Sequence, residues 1–364
     1  MESPLIAAAH TIGAEFPDAA VPAHYGDPYA EQRALVQAAG FVDRSNRDVV
    51  TITGADRLSW LNSISTQKVD DLPPGVAVQT LILSPHGHVE HHLFVLDDGA
   101  TTWIHVEPGE AKSLIEFLDS MRFMLRVRCA EVTDHYAVVT VMGPQAPADV
   151  AQSAAVAMDF GFGIDLLVER ARLADVAADL QAAGLRPAGI WAHEALRIAG
   201  HRPRFGTDTD HKTIPHEVGW IGSVVHLNKG CYRGQETVAR VHNLGHPPRR
   251  LVLLNLDGSE DRLPAHGEQV FRDEAIRDEA IPDQIIRDGI IRDENFPSRT
   301  SVGFVGSAAR HFEFGPIALA LVKRNLPVHA TLRAAGLSAA QEVIVPPDAG
   351  ANVKIKLPRR RDDR

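Results

Sequence analysis

Two cysteines in 364 residues are too few for a disulfide framework, and too few to hold an iron–sulfur cluster, which ordinarily takes four thiolate ligands. Long hydrophobic runs are missing as well, since no stretch approaches the roughly 20 apolar residues needed to span a bilayer, so no membrane role is expected. The segment Met1 to Thr11 lacks a charged region followed by an apolar block, which leaves cytoplasmic residence as the default expectation. Positive charge is in deficit: 37 Lys and Arg against 47 Asp and Glu give a formal net charge of −10. That balance excludes a general nucleic-acid binder, whose affinity comes from neutralised phosphates. Gly161-Phe162-Gly163 lacks the third glycine and the following helix of a dinucleotide fingerprint. What is present is 45% hydrophobic residues, enough to build a large core, in a chain long enough for two or three domains.

The order of elements points to α+β layers. Residues 1–28 carry scattered Pro, Gly and Ala and read as an irregular lead-in. A helix over 29–39 precedes a strand at 49–54, a helix at 56–64, strands at 78–83, 89–96 and 101–106, a helix at 108–121 and a strand at 126–131. A second cycle opens with the strand from Tyr136, stopped by Gly143-Pro144, then a strand at 166–169 and helices at 174–183 and 190–198. Two interleaved ferredoxin-like units fit this order and make 29–246 one core region with two subdomains. From 247 to 353 the texture changes to short apolar strands at 251–256, 268–271, 301–305, 318–322 and 343–345, as in a small β-barrel. It is interrupted at 272–299 by near-copies of Arg-Asp-Glu-Ala-Ile, whose period of five fits neither strand nor helix and reads as a mobile hairpin-loop expansion. A charged tail, 354–364, closes the chain.

The densest chemistry lies in Lys229-Gly230-Cys231-Tyr232-Arg233-Gly234-Gln235-Glu236. Glycines one and three residues from Cys231 imply a sharp turn or a close approach. Gln235 to His242 reads as a short helix, with Glu236 and Arg240 one turn apart and Gly245 to stop it. Cys231 then precedes a helix N-terminus, with Lys229 and Arg233 beside it, a setting that favours a thiolate. Cys231 is the candidate functional thiol. His86, His88, His91 and His92 cluster near one strand, but no carboxylate or thiolate at ligand spacing accompanies them; they read as the polar face of a half-exposed strand, with no metal site.

This octapeptide resembles the fingerprint of the YgfZ family, folate-binding relatives of the glycine-cleavage T-protein. The likeness extends to Ala195-Leu196-Arg197-Ile198, Pro203-Arg204-Phe205-Gly206-Thr207-Asp208 and Ile214-Pro215-His216-Glu217, and downstream through Arg240 to Arg249-Arg250-Leu251-Val252. It implies interleaved ferredoxin-like units with a small C-terminal β-barrel, and a cleft for a tetrahydrofolate-type ligand, to which Arg197, Arg204 and Lys68 are assigned. It also implies a role in assembly, maintenance or repair of iron–sulfur enzymes, including those that modify transfer RNA. Iron–sulfur proteins or their assembly machinery would then be the partners. With two cysteines no cluster is expected to be stably held, so Cys231 would act transiently.

Two departures from the related aminomethyltransferases bear on activity. Where they carry an aspartate in a Thr-Asn-Asp segment, this chain has Thr66-Gln67-Lys68; where they carry a glutamate that meets the pterin, it has Ala199. A lysine does not replace an anion at neutral pH, and a lost carboxylate loses hydrogen bonds to the ring. The expectation is an accessory protein acting through Cys231 beside a folate-type cleft that binds folate weakly. The alternative is a tetrahydrofolate-dependent one-carbon transferase or demethylase.

Overall fold

A computed structural model describes residues 2–6, 15, 17–260, 262–273 and 301–353. Helix α1 (Pro28–Gln37) starts at Asp27, whose carboxylate accepts from the Tyr29 and Ala30 amides, with proline at the first helical position. There follow β1 (Gly40–Asp43), β2 (Asp48–Thr53), α2 (Arg57–Ile64), β3 (Ala77–Leu83), β4 (Val89–Asp97), β5 (Thr101–Val106), α3 (Ala111–Ser120) and β6 (Arg128–Glu131). Next come β7 (Tyr136–Met142), β8 (Val156–Asp159), β9 (Ile164–Glu169), α4 (Leu173–Ala182), β10 (Arg186–Ala188), α5 (Ile190–Ala199) and α6 (Gln235–Leu244). The last strands are β11 (Arg249–Leu256), β12 (Gln269–Arg272), β13 (Ser301–His311), β14 (Gly315–Lys323), β15 (Leu332–Ala334) and β16 (Leu337–Val343).

One five-stranded sheet has the order β10-β1-β7-β9-β8, a second has β3-β4-β5-β2-β6, and the remaining strands close a barrel, β11-β14-β13-β12-β15-β16. The second sheet is thus inserted in sequence between β1 and β7 of the first, which is the interleaving expected. The second sheet buries Val50, Ile52 and Ile104 against Trp60, Leu61, Leu114 and Leu118 of α2 and α3. The first buries Phe41, Val139 and Leu166 against Val176 and Leu180 of α4. Strand β11 reads as an unbroken apolar run because both its faces are covered. Val252 and Leu254 point into the barrel, while Leu251 and Leu253 join Leu81, Leu83, Ile198 and Trp220 in the cluster that fastens barrel to core.

Several expectations need correction. Strands β1, β8 and β10 fall in segments read as connections, being only 4, 4 and 3 residues long. Of residues 343–345 only Val343 lies in the last strand; the barrel closes through β15 and β16, whose short length and alanine-rich, polar make-up hid them. Strand β13 runs on past Val305 because a register shift between Val305 and Ala308 bends it round Asp208, whose carboxylate accepts from the Ser307 amide at 2.8 Å. Arg272 belongs to β12, opposite Leu332, so the repeat insertion expected at 272–299 begins inside a strand. Residues 274–299 of it, and the tail 354–364, lie outside the described residues.

The N-terminal segment is pinned to the start of α5. Ile190 and Trp191 donate to the Pro22 and Ala23 carbonyls at 2.9 and 3.1 Å, and a Cβ at Gly189 would sit 2.1 Å from the Ala23 oxygen. Neither partner is a flexible side chain. Gly189→Ala is therefore expected to destabilise the fold by about 3 kcal/mol, the upper range for overpacking. Chemical denaturation checks this, and a change under about 0.5 kcal/mol would show that the segment yields freely.

Candidate functional site

Helix α6 forms where the sequence placed it, from Gln235 to Leu244, with Gly245 ending it. Gly234, at φ +82°, packs on the turn between β3 and β4: a Cβ there would lie 2.6 Å from the Ser84 oxygen, and one on Gly87, at φ +80°, 2.8 Å from the Thr237 Cβ. Both glycines are demanded by left-handed backbone and by contact. Gly230 is not; it has negative φ and open space around it, so only one of the two glycines flanking Cys231 marks a close approach.

The charged neighbours of Cys231 turn out to be engaged elsewhere. Lys229 Nζ donates to the carbonyls of Asn62, Ser65 and Gln67 at 2.6, 2.6 and 2.8 Å and lies 5.2 Å from the Tyr232 ring centroid. Burial lowers its pKa to about 8. Arg233 pairs with Glu90 at 2.6 Å and lies over Phe117. Lys229 is a clamp on the end of α2 and the loop after it, and Arg233 ties α6 to the second sheet. Cys231 itself is exposed, as are Glu236 and Arg240, and Gln235 is half-buried, while Tyr232 is buried and its hydroxyl pushed up to about 12 by that burial.

A cavity of about 570 Å³ opens between the two sheets, α5 and the 218–224 loop. Its walls include the aromatic rings of His92, Phe94, Phe160, Phe162 and Trp220, the arginines Arg44, Arg47, Arg197 and Arg204, and the carboxylates of Asp18, Glu107, Asp165 and Glu194. Arg197 and Arg204 are therefore where they were expected. Cys231, Lys68 and Ala199 are not part of the wall. Lys68 points out, bonding Asp71 and lying 3.4 Å from Asp70, and it is Gln67 that reaches the cavity, held there by the Lys229 clamp and by its amide on the Ser223 carbonyl at 3.1 Å. Ala199 packs against the apolar cluster of Leu81 and Trp220 instead.

Charge in this cavity is paired almost throughout. Arg204 donates to Glu107 at 2.7 Å and to both oxygens of Asp18 at 2.7 and 2.9 Å. Arg197 donates to Glu194 and Asp208, the first contact 2.5 Å and the second 2.8 Å, and Arg44 pairs with Asp165 at 3.2 Å. Burial alone would raise the carboxyl pKa values, yet the adjacent guanidiniums outweigh it and hold Glu107, Asp165 and Glu194 far below the usual range. The imidazoles go the other way. Burial lowers His92 to about 3, burial with Arg47 lowers His105 to about 4, and burial with Arg44 lowers His193 to about 4. His92 bonds Gln79 at 2.9 Å and packs on Phe94 and Trp220, both ring centroids 4.7 Å away. His91 and His92 are both buried, so the expected half-exposed polar face is corrected for that pair; among the described residues no group of three or more potential ligands gathers to hold a metal.

Sequence reasoning missed Arg44, Arg47, His105, Glu107, Asp165 and His193. The signal was there: Asp165 sits in Ile-Asp-Leu-Leu and His105 in Trp-Ile-His-Val, charged or polar groups at strand positions that must be covered.

Two expectations follow. Lys229→Met should destabilise the protein by about 3 kcal/mol, because three buried carbonyls lose their donor; an unfolding midpoint equal to the parent's would remove the clamp from the argument. His92, His105 and His193 are neutral when folded but take up protons near pH 6.5 when unfolded, so the unfolded state binds more protons below that pH. Stability should therefore fall as pH drops from about 6.5 towards 4, each buried imidazole accounting for roughly 3 kcal/mol. Urea unfolding at pH 7, 5.5 and 4.5 checks it, a flat profile being the contrary result.

With the fold and cavity in view, comparison with known proteins is direct. Residues 8–164 match the family described as GCVT N-terminal domain. An aminomethyltransferase of Nostoc sp. is 24% identical over 288 residues, covering 70% of this chain and 76% of that one. An aminomethyltransferase of Synechococcus sp. is 26% identical over 293 residues, with 70% and 77% covered. The crystal structure of glycine cleavage system aminomethyltransferase T from Bartonella henselae superposes with a TM-score of 0.75 at 16% identity, over 96% of this chain and 98% of that one. Residues 8–164 thus match the GCVT N-terminal domain, and the whole chain has a GcvT-like fold closed by a six-stranded C-terminal β-barrel.

Proposed function

We propose that the central cavity binds a tetrahydrofolate-type ligand and that the chain is a folate-dependent one-carbon transferase or demethylase related to the aminomethyltransferases. The observation that carries this reading is the cavity itself: about 570 Å³, walled by packed aromatic rings and neutral imidazoles, with its buried charges mutually paired. Such walls suit a flat, uncharged heteroaromatic ring, and the volume lies in the range of cofactor pockets. The relatives named aminomethyltransferase point the same way. A bound reduced folate would supply the nitrogen that carries the one-carbon unit. The residues of this chain would stack the ring among His92, Phe94 and Trp220 and exclude water from it. Because Lys68 and Ala199 stand outside the wall, their departures from the related enzymes bear less on binding than the sequence implied. Isothermal calorimetry with tetrahydrofolate tests this. Saturable one-to-one binding, with quenching of Trp220 fluorescence, is expected; absence of heat and of quenching at millimolar ligand would overturn it.

A second reading is favoured by one observation: Cys231 is exposed, on a loop whose flanking residues Lys229 and Tyr232 are firmly anchored. A thiol so presented suits a YgfZ-type accessory role towards iron–sulfur enzymes, exercised on a partner at the surface and not inside the cavity. On that reading Cys231→Ala folds as the parent does but loses rescue of iron–sulfur enzyme activity in a strain lacking the protein, whereas full rescue would show the thiol dispensable.

A further inference from the structure

Three of the residues lining the cavity keep a buried side-chain atom without a hydrogen bond; His193 Nδ1 lies 3.6 Å from the Glu194 carboxylate, which leaves Arg47 Nη2 and Asn46 Oδ1. Arg47 is 2% exposed; its Nη1 bonds Glu107 at 2.6 Å and its Nε donates to His105 Nδ1 at 2.8 Å, but Nη2 is buried without a partner. In the adjacent residue, the Asn46 amide donates to Asp18 at 2.7 Å while its Oδ1 is buried and has no partner. A buried guanidinium N–H and a buried amide oxygen each cost free energy unless something meets them. Both residues line the cavity, and the Arg47 guanidinium stacks on Phe94, 4.9 Å from its centroid, within the aromatic wall.

We infer that Asn46 and Arg47 are the specificity-determining pair of the cavity, and that they select a lactam edge, a ring C=O beside a ring N–H. The Arg47 Nη2 would donate to the C=O and Asn46 Oδ1 would accept from the N–H. The pterin ring of tetrahydrofolate has such an edge at C4 and N3, so the inference rests on the folate reading above and deepens it. Exchanging the C4 oxygen for an amino group turns C4 into a donor and N3 into an acceptor, which sets donor against Arg47 and acceptor against Asn46.

The test compares calorimetric affinities of the full chain for tetrahydrofolate and for its 4-amino counterpart, which differ only at this edge. The 4-amino compound is expected to bind at least about 30-fold more weakly, the effect of one to two mismatched buried groups. Asn46→Ala, checked by thermal melting for an intact fold, should shrink that ratio to about threefold or less. If the variant does not fold, the ratio in the unaltered protein still decides. Equal affinities in the unaltered protein would overturn the inference and leave the folate reading standing. Binding of neither compound would overturn the folate reading itself. An undiminished ratio in Asn46→Ala would remove the assignment to this pair.

Discussion

One buried guanidinium joins parts of the chain that are far apart in sequence. Arg204 reaches Asp18 in the N-terminal segment, Glu107 at the end of β5 and, at 3.5 Å, Glu194 on α5, while its own amide donates to Asp208 at 2.8 Å. Asp208 in turn takes Arg197 and the Ser307 hydroxyl of the barrel. The N-terminal segment, the second sheet, α5 and the barrel are thereby referred to one set of charges. Such an arrangement adds little net stability over apolar packing, because desolvation offsets most of the attraction. Its effect is positional: removing any one partner leaves a buried charge unmatched, so the network tolerates only one relative placement of the units. The cavity exists because that placement is fixed.

The same pairing decides the chemical character of the cavity. With the carboxylates held ionised by arginines and the histidines kept neutral by burial, little charge is left to attract an ion. Aromatic faces and a few unmatched polar atoms remain. The 229–236 motif contributes from outside, since Lys229 holds the loop that presents Gln67 while Gly234 and Gly87 let α6 lie against the β3–β4 turn. In this view the most conspicuous part of the sequence supports the wall and presents Cys231 to the exterior.

The architecture was largely legible, because alternation in β4 and β5 and the stops at Gly143-Pro144 and Gly245 are local signals. Strands of three or four residues such as β10 and β15 were not, since they exist only through their neighbours. Among site residues, Arg197 and Arg204 could be carried over by resemblance, whereas Arg47, Glu107 and Asp165 come from three different strands or loops and meet only after folding. Lys68 shows the converse. Adjacent in sequence to Gln67, it points the other way, because the clamp on the Gln67 carbonyl fixes which of the two faces the cavity.

Ligand binding in this cavity, and not on the thiol-bearing loop, is the claim on which the rest turns. Hydrogen–deuterium exchange with and without tetrahydrofolate locates it residue by residue. Slower exchange confined to 44–47, 92–94 and 218–224 is the expected result; unchanged exchange there, or protection appearing instead at 229–236, would contradict it.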